Sequence, residues 1–350
     1  MGNIACAIDA LHPSVDHPWV PIVGGQPSLN RYCAFSHLFA AAGTGGTVHR
    51  IDRHPTMSQH PVTPMDEADL RIHLGRQGLK QINALHFPDY DRSDLELDAK
   101  LRELQSPHGT DPHICATLLD LSSQDQLATV GRLIWEQAQR ARLLAVGSSA
   151  VAQALVAHWS STREMAWAST QSPALARADK PVLAWAGSLS ALTAAQVQSA
   201  TDYLRIPVDA LRLCQEPAYA QTVLGHVCAA LEDGQHVLAY TAPPKGGTAQ
   251  LANAPQVAKA SAALIANIVR TQVQQNQPLR RIGIAGGDTS SHALGEMGIS
   301  ALTLKMPLPQ TPGSPLCTVH GGASDGLQLA LKGGQVGGDD YFSMIRAGRV

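Results

Sequence analysis

The sequence predicts an α/β protein of two domains, each a largely parallel sheet covered by helices. Three observations predict it. Short apolar runs alternate with helix-like segments along most of the chain, the pattern of strands joined by crossover helices. That alternation weakens once, in the polar, Pro173-interrupted stretch 160–180. Several apolar runs end in glycine-rich turns that open a helix, where α/β sheets collect ligands. With 350 residues, at about 100–200 per domain, two cores are affordable, and the domains are placed at 1–165 and 166–350.

Trp19–Val23 reads as a strand and 29–42 as a helix. Another helix is expected from Pro64, with Thr63 as cap and Asp66, Glu67 and Asp69 complementing its dipole. Stretches 82–87, 114–119 and 143–146 read as buried strands, with helical spacing at 95–104 and 126–139. Beyond the linker, Val182–Ala186, 236–240 and Arg281–Ala285 read as strands. Helices are expected at 193–203, 219–232 and 256–274, and a short one near Asp339.

Composition narrows the function. The hydrophobic set makes up 44% of residues and charged residues 15%, against a usual ~25% charged, which argues against disorder. A net charge of −2 gives no basic field for nucleic acid or an anionic membrane, so neither is expected as a partner. Phosphates would have to be held by backbone N–H groups, a metal or a few placed side chains. The six cysteines are scattered without zinc-type spacing, as in a reduced compartment. Residues 1–16 lack the features of a signal peptide, and no apolar run approaches the ~20 residues of a membrane span. A cytoplasmic protein is expected.

Four glycine turns are candidate sites. In RIGIAGGDTS, a strand runs into Gly286-Gly287, followed by Asp288, Thr289 and Ser290 where a helix should start. Glycines allow close backbone approach, and the amides of a helix start accept a negative group. In AGSLSALTAAQ, Ser188 and Ser190 lie in the turn, and Thr193 with Gln196 has the form of a capping box. LKGGQVGGDD carries Gly333, Gly334, Gly337 and Gly338, with Lys332 its one adjoining cation. LLAVGSSAVAQAL sets Gly147, Ser148 and Ser149 between a strand and a helix. On local sequence, ordinary strand-to-helix turns and caps account for each equally well. A fifth candidate, 49–69, gathers His49, Arg50, Asp52, Arg53, His54 and His60. Its arginines suit a carboxylate or phosphate, while its His spacing matches no standard zinc motif, so no metal site is assigned. Asp–Arg pairing within a Pro-rich loop is the alternative.

These segments together resemble the four-carbon acid sugar kinase family. The resemblance rests on GQPSLNRYCAFSHLFA, HRIDRHPTMSQHPVTPMDEADL, AVGSSAVAQALVAHW, AGSLSALTAAQ, AGGDTS, PGSPLC and DGLQLALKGGQVGGDDYF. It implies a first domain for the sugar acid, a second for ATP, and an active-site cleft between them. The ATP site it implies is Ser188, Gly286, Gly287, Asp288, Thr289, Gly333 and Gly334, with Mg2+ as cofactor. Arg50, Arg53, Ser148 and Ser149 are the substrate-side candidates; no catalytic residue is assigned. The implied reaction is transfer of the γ-phosphoryl of ATP to a small-molecule acid such as threonate, erythronate or a 3-oxo-tetronate. The family's opening Asp-Asp-x-Thr-Gly motif has no counterpart, and residues 3–16 stand where its hydroxyl-rich substrate motif would be expected, with Asp9 and Ser14 as its remnants. The sugar-acid domain is therefore expected to be N-terminally incomplete, with a non-catalytic nucleotide-binding remnant as the alternative. A homodimer is left open.

Overall fold

The computed structural model describes residues 3–42, 46–59, 63–105, 114–162, 176–187, 190–242, 254–308, 311, 313–334 and 336–348. The chain divides into two compact units, Met1–Ser169 and Thr170–Val350.

The first unit contains α1 (Ile4–Leu11), β1 (Trp19–Val23), β2 (Arg31–Ala34), β3 (His37–Ala41), β4 (Val48–Arg50), α2 (Leu70–Arg76) and β5 (Ile82–Leu85). It continues with α3 (Asp94–Gln105), β6 (Cys115–Leu119), α4 (Leu127–Ala138) and α5 (Ala150–Thr162). Three parallel strands run in the order β1-β6-β5, and Val23, Leu119 and Leu85 share a register position at their carboxyl edge. β1 is buried at all five positions, as a strand covered on both faces must be. On one side Leu97, Leu101, Val130, Leu133 and Ala154 pack beneath it. α4 and α5 cross closely at Gly131, where a Cβ would stand 1.9 Å from the Ala154 carbonyl oxygen.

Three expectations for this unit change. Residues 29–42 form the hairpin β2–β3 and not a helix, with Arg31 opposite Ala40 and Ala34 opposite His37. Phe35 and Ser36 make its tip at φ of 49° and 67°, the two positive-φ residues of a tight hairpin turn. Tertiary pairing decides the matter: Cys33 and Leu121 exchange backbone hydrogen bonds of 2.9 and 3.1 Å, docking the hairpin on the chain leaving β6. β4 completes an antiparallel sheet, β2-β3-β4. The helix expected from Pro64 starts at Leu70, capped by Asp69, whose carboxylate accepts from the Arg71 amide at 2.9 Å. The preceding backbone is engaged by the hairpin instead, since the Leu38 amide donates to the Ala68 carbonyl. The strand expected at 143–146 is a single bridge from Val146 to Ile22. The chain turns away at Gly147, where a Cβ would meet the Val23 carbonyl oxygen at 3.2 Å.

Docking the hairpin depends on Gly25. A Cβ there would lie 2.2 Å from the Leu121 carbonyl oxygen and 2.9 Å from the Cys33 amide nitrogen, both backbone atoms. Gly25→Ala should therefore lower stability by about 2–3 kcal/mol, the range for overpacking against atoms that cannot step aside. Denaturant unfolding checks this as a lower midpoint with unchanged slope.

The second unit begins with β7 (Val182–Ala186), α6 (Ala191–Ser199), β8 (Leu204–Asp209), α7 (Ala210–Gln215), α8 (Pro217–Glu232), β9 (Val237–Ala242) and α9 (Ala254–Gln274). It ends with β10 (Arg281–Ala285), α10 (Gly287–Glu296), β11 (Ala301–Met306), β12 (Leu316–His320), β13 (Gln328–Lys332) and α11 (Tyr341–Ala347). Its sheet has the order β11-β12-β13-β10-β7-β9-β8, parallel from β13 to β8 and antiparallel at the β11–β12 edge. Successive residues of β7 serve opposite cores, as strand periodicity requires. Leu183 and Trp185 pack with Val227 of α8 and Ile265 of α9. Val182, Ala184 and Ala186 pack with Val197 of α6 and with Tyr341 and Phe342 of α11. Among the described residues, no helix is long and apolar enough to cross a membrane.

Candidate functional site

The site of the second unit follows from register. Ala186, Ala285 and Lys332 are aligned across β7, β10 and β13, so the turns that follow these strands leave the sheet side by side. From β7 the chain first builds β8 and β9 on one flank, then crosses to β10 and β13 on the other. The strand order therefore reverses between β7 and β10, the position where open α/β sheets bind ligands. Two further bonds extend the ladder into the turns: the Gly187 amide donates to the Ala285 carbonyl at 2.7 Å, and the Gly286 amide to the Lys332 carbonyl at 2.9 Å.

Each glycine has its own reason. A Cβ on Gly187 would come within 2.4 Å of Thr289 Oγ1, so this glycine lets the first two turns pack together. Thr289 is buried in that contact. Gly286 caps α10 at φ 128°, ψ 120°, a region closed to side chains. The amides of Gly287, Asp288 and Thr289 open the helix and have no helical acceptor. Gly287 and Asp288 are exposed. Among the described residues, a Cβ on Gly287 or Gly333 meets nothing within 4 Å, so their packing does not require glycine at either position. Ser188 lies outside the described residues.

The loop after β13 is held from α6. Ser190 caps that helix, accepting from the Thr193 amide at 3.1 Å, which corrects the capping box expected at Thr193 and Gln196. With the cap three residues earlier, at Ser190, both side chains face the glycine loop. The Ser190 and Thr193 hydroxyls donate to the Gly334 carbonyl. Gln196 Nε2 donates to the carbonyls of Val336, Gly337 and Gly338 at 3.2, 3.3 and 2.9 Å. Below the loop, Lys332 is 2% exposed. Its ammonium donates to Thr193 Oγ1 at 3.2 Å and to the Gly333 carbonyl at 3.0 Å, 5.4 Å from the centre of the Tyr341 ring. Burial lowers its pKa to about 8. Among the described residues no carboxylate pairs with it. Reading the sequence located Lys332 but missed its burial, and it assigned Thr193 and Gln196 to the wrong task; the signal for all three was the long-range glycine loop.

In the first unit, the Arg50 Nε and guanidinium NH2 donate to the two Asp52 oxygens at 2.7 and 2.5 Å. That pair raises the Arg50 pKa and lowers that of Asp52. Arg53 is exposed in the turn after β4. Ser148 Oγ accepts from the Ala150 amide at the start of α5, and Ser149 Oγ accepts from Gln26 Nε2. Both serines are exposed. The arginines and the serines thus sit on separate elements. Among the described residues no three His, Cys, Asp or Glu side chains form a metal-holding group.

Two family models match the chain. Residues 1–155 match a family model described as a sugar-binding N-terminal domain, and residues 183–342 one described as a nucleotide-binding C-terminal domain. A 3-oxo-isoapionate kinase of Paraburkholderia graminis is 35% identical over 368 aligned residues, covering 100% of this chain and 75% of its own length. The chain belongs to the four-carbon acid sugar kinase family. A 3-oxo-tetronate kinase of Methylobacterium radiotolerans is 28% identical, over 97% of this chain and 76% of that protein. Among solved structures, a Haemophilus influenzae protein shares the fold with a TM-score of 0.62 at 20% identity, covering 97% of this chain and 75% of its own. Family membership makes the chain a phosphotransferase with a nucleotide-binding second unit.

Proposed function

We propose that the chain transfers the γ-phosphoryl group of ATP to a hydroxyl of a 3-oxo sugar acid. The observation that carries this reading is the alignment of Ala186, Ala285 and Lys332, which sets three glycine turns together at the strand-order reversal. Gly286 and Gly287 give the phosphates close access to the first amides of α10, supported by Asp288 and Thr289. Gly333 and Gly334, on the turn after β13, belong to the same proposed site, and Ser188 is assigned to it from the sequence alone. Mg2+ would be held by a carboxylate of the chain together with the phosphates. The exposed Asp288 suits that task, and the bound ion would neutralise charge on the transferred group. Lys332, Thr193 and Gln196 keep the Gly333–Gly334 loop in place. On the acid side, Arg53, Ser148 and Ser149 supply the exposed polar groups, while Arg50 braces its turn through Asp52.

The higher identity to the 3-oxo-isoapionate kinase puts that acid first, ahead of 3-oxo-tetronate, threonate and erythronate. The test is ADP release by the purified chain with Mg-ATP and each acid in turn. The expected result is turnover with a 3-oxo acid, with kcat/KM at least tenfold above that for threonate or erythronate. Tight ATP binding with no ADP release for any of the four would overturn the kinase reading in favour of a non-catalytic nucleotide-binding remnant.

A further inference from the structure

The carboxyl edge of the first unit's sheet holds a histidine–carboxylate pair. Leu119 and Leu85 are register partners at the ends of β6 and β5, and the residues that follow them are Asp120 and His86. Asp120 is fully buried, and among the described residues every neighbour in hydrogen-bonding reach of its carboxylate can donate. The amides of Phe35 and Ser36 approach to 2.7 and 3.0 Å, the Cys33 thiol to 3.3 Å and the Phe87 amide to 3.4 Å. His86 Nδ1 lies 3.1 Å from Oδ2. A carboxylate served in this way only accepts, so Nδ1 carries a hydrogen, and in the neutral imidazole the lone pair is on Nε2.

The surroundings present that lone pair outward. The His86 side chain is 32% exposed, and among the described residues Nε2 has no partner. The two amides reach Asp120 because Phe35 and Ser36 both adopt positive φ, a conformation that costs free energy outside glycine and concentrates at functional sites. The exposed Phe35 ring flanks His86 at 5.5 Å and Phe87 at 5.1 Å. Among the described residues, Ser36 Oγ, on a residue with no exposed surface, has no hydrogen-bond partner.

We propose that His86 is the general base for the accepting hydroxyl of the sugar acid, with Asp120 fixing its tautomer and stabilising its charged form. The inference rests on the kinase reading above. The hydroxyl oxygen forms a bond to the γ-phosphorus of ATP as the bond from that phosphorus to the β,γ-bridging oxygen breaks. ADP leaves with that electron pair. The hydroxyl proton passes to His86 Nε2 and is released to water after the product departs. Positioned general bases contribute about 10²–10⁴-fold to such steps.

The test compares wild type with His86→Ala and His86→Gln, using ATP and each 3-oxo acid. In both variants kcat should fall at least 100-fold, with the KM for ATP and for the acid within threefold of wild type. Added imidazole should restore part of the rate to His86→Ala and leave wild type unchanged, a response no purely structural role produces. A kcat within threefold of wild type would overturn the assignment. So would a loss that appears as a raised acid KM without imidazole rescue, which makes His86 a binding group. If wild type itself releases no ADP with any acid, the kinase reading fails and takes the base with it; an active wild type beside an unimpaired variant removes only the base.

Discussion

Gly287→Leu will abolish nucleotide binding and leave the fold intact. The two halves of that expectation come from the same position. Gly287 is the first residue of α10, and a Cβ there meets no atom of the described residues within 4 Å. Leucine is a good helix former and has no steric conflict to resolve, so thermal unfolding of the free protein should move by no more than about 2 °C. In the ATP site proposed above, the space over this residue is the approach the γ- and β-phosphates would take to the amides of α10. A four-carbon side chain fills it. Isothermal titration with Mg-ATP should show binding by wild type and none by the variant at millimolar nucleotide. Undiminished ATP affinity in a folded Gly287→Leu protein would move the nucleotide away from this turn. Gly187 behaves differently, because its missing Cβ makes room for Thr289.

The parts of this protein that could be read from sequence are those that local chemistry decides. β7 and β10 are short apolar runs closed by glycine, and both are buried at every position. β8 and β11 were not anticipated because they are sheet edges. β8 carries Arg205 and Pro207, and β11 is exposed at five of its six positions, so neither shows a buried strand's apolar run. The hairpin β2–β3 was hidden for another reason. Its residues have no strong preference of their own, and pairing of Cys33 with Leu121 from far along the chain selects the strand. The site divides in the same way. Gly286 and Gly287 announce themselves by following a strand and opening a helix. Thr193, Gln196 and Lys332 acquire their roles only when the loop more than a hundred residues after α6 returns to it. The Asp120–His86 pair is likewise invisible until β5 and β6 are seen to be neighbours, although an acidic residue directly after an apolar strand was a signal worth reading.

Lys332 couples stability to function with opposite signs. An ammonium buried among hydroxyl, carbonyl and ring, without a carboxylate, is costly to keep charged. The folded chain therefore holds the proton less tightly than the unfolded chain, with the pKa lowered from 10.5 to about 8. Below that lower value both states are protonated and the burial cost is present in full. Between the two values the unfolded chain keeps a proton that the folded chain has released, so stability rises with pH across that window. Lys332→Met removes the charge at similar volume. The free variant should be at least as stable as wild type near pH 7.5, and this rise should disappear from its unfolding curve. Function should move the other way. Without bonds to Thr193 Oγ1 and the Gly333 carbonyl, the loop loses one of its anchors, and the proposed phosphate site loses the positive charge beneath it. A hydrogen bond from a charged donor contributes about 1.5–3 kcal/mol, so the KM for ATP should rise at least tenfold. Denaturant titrations at several pH values and steady-state kinetics on one pair of proteins decide it. A variant that is less stable at every pH, yet keeps its ATP KM, would make Lys332 an ordinary packing residue. A variant that is more stable but binds nucleotide poorly identifies a buried charge retained for the ligand and not for the fold.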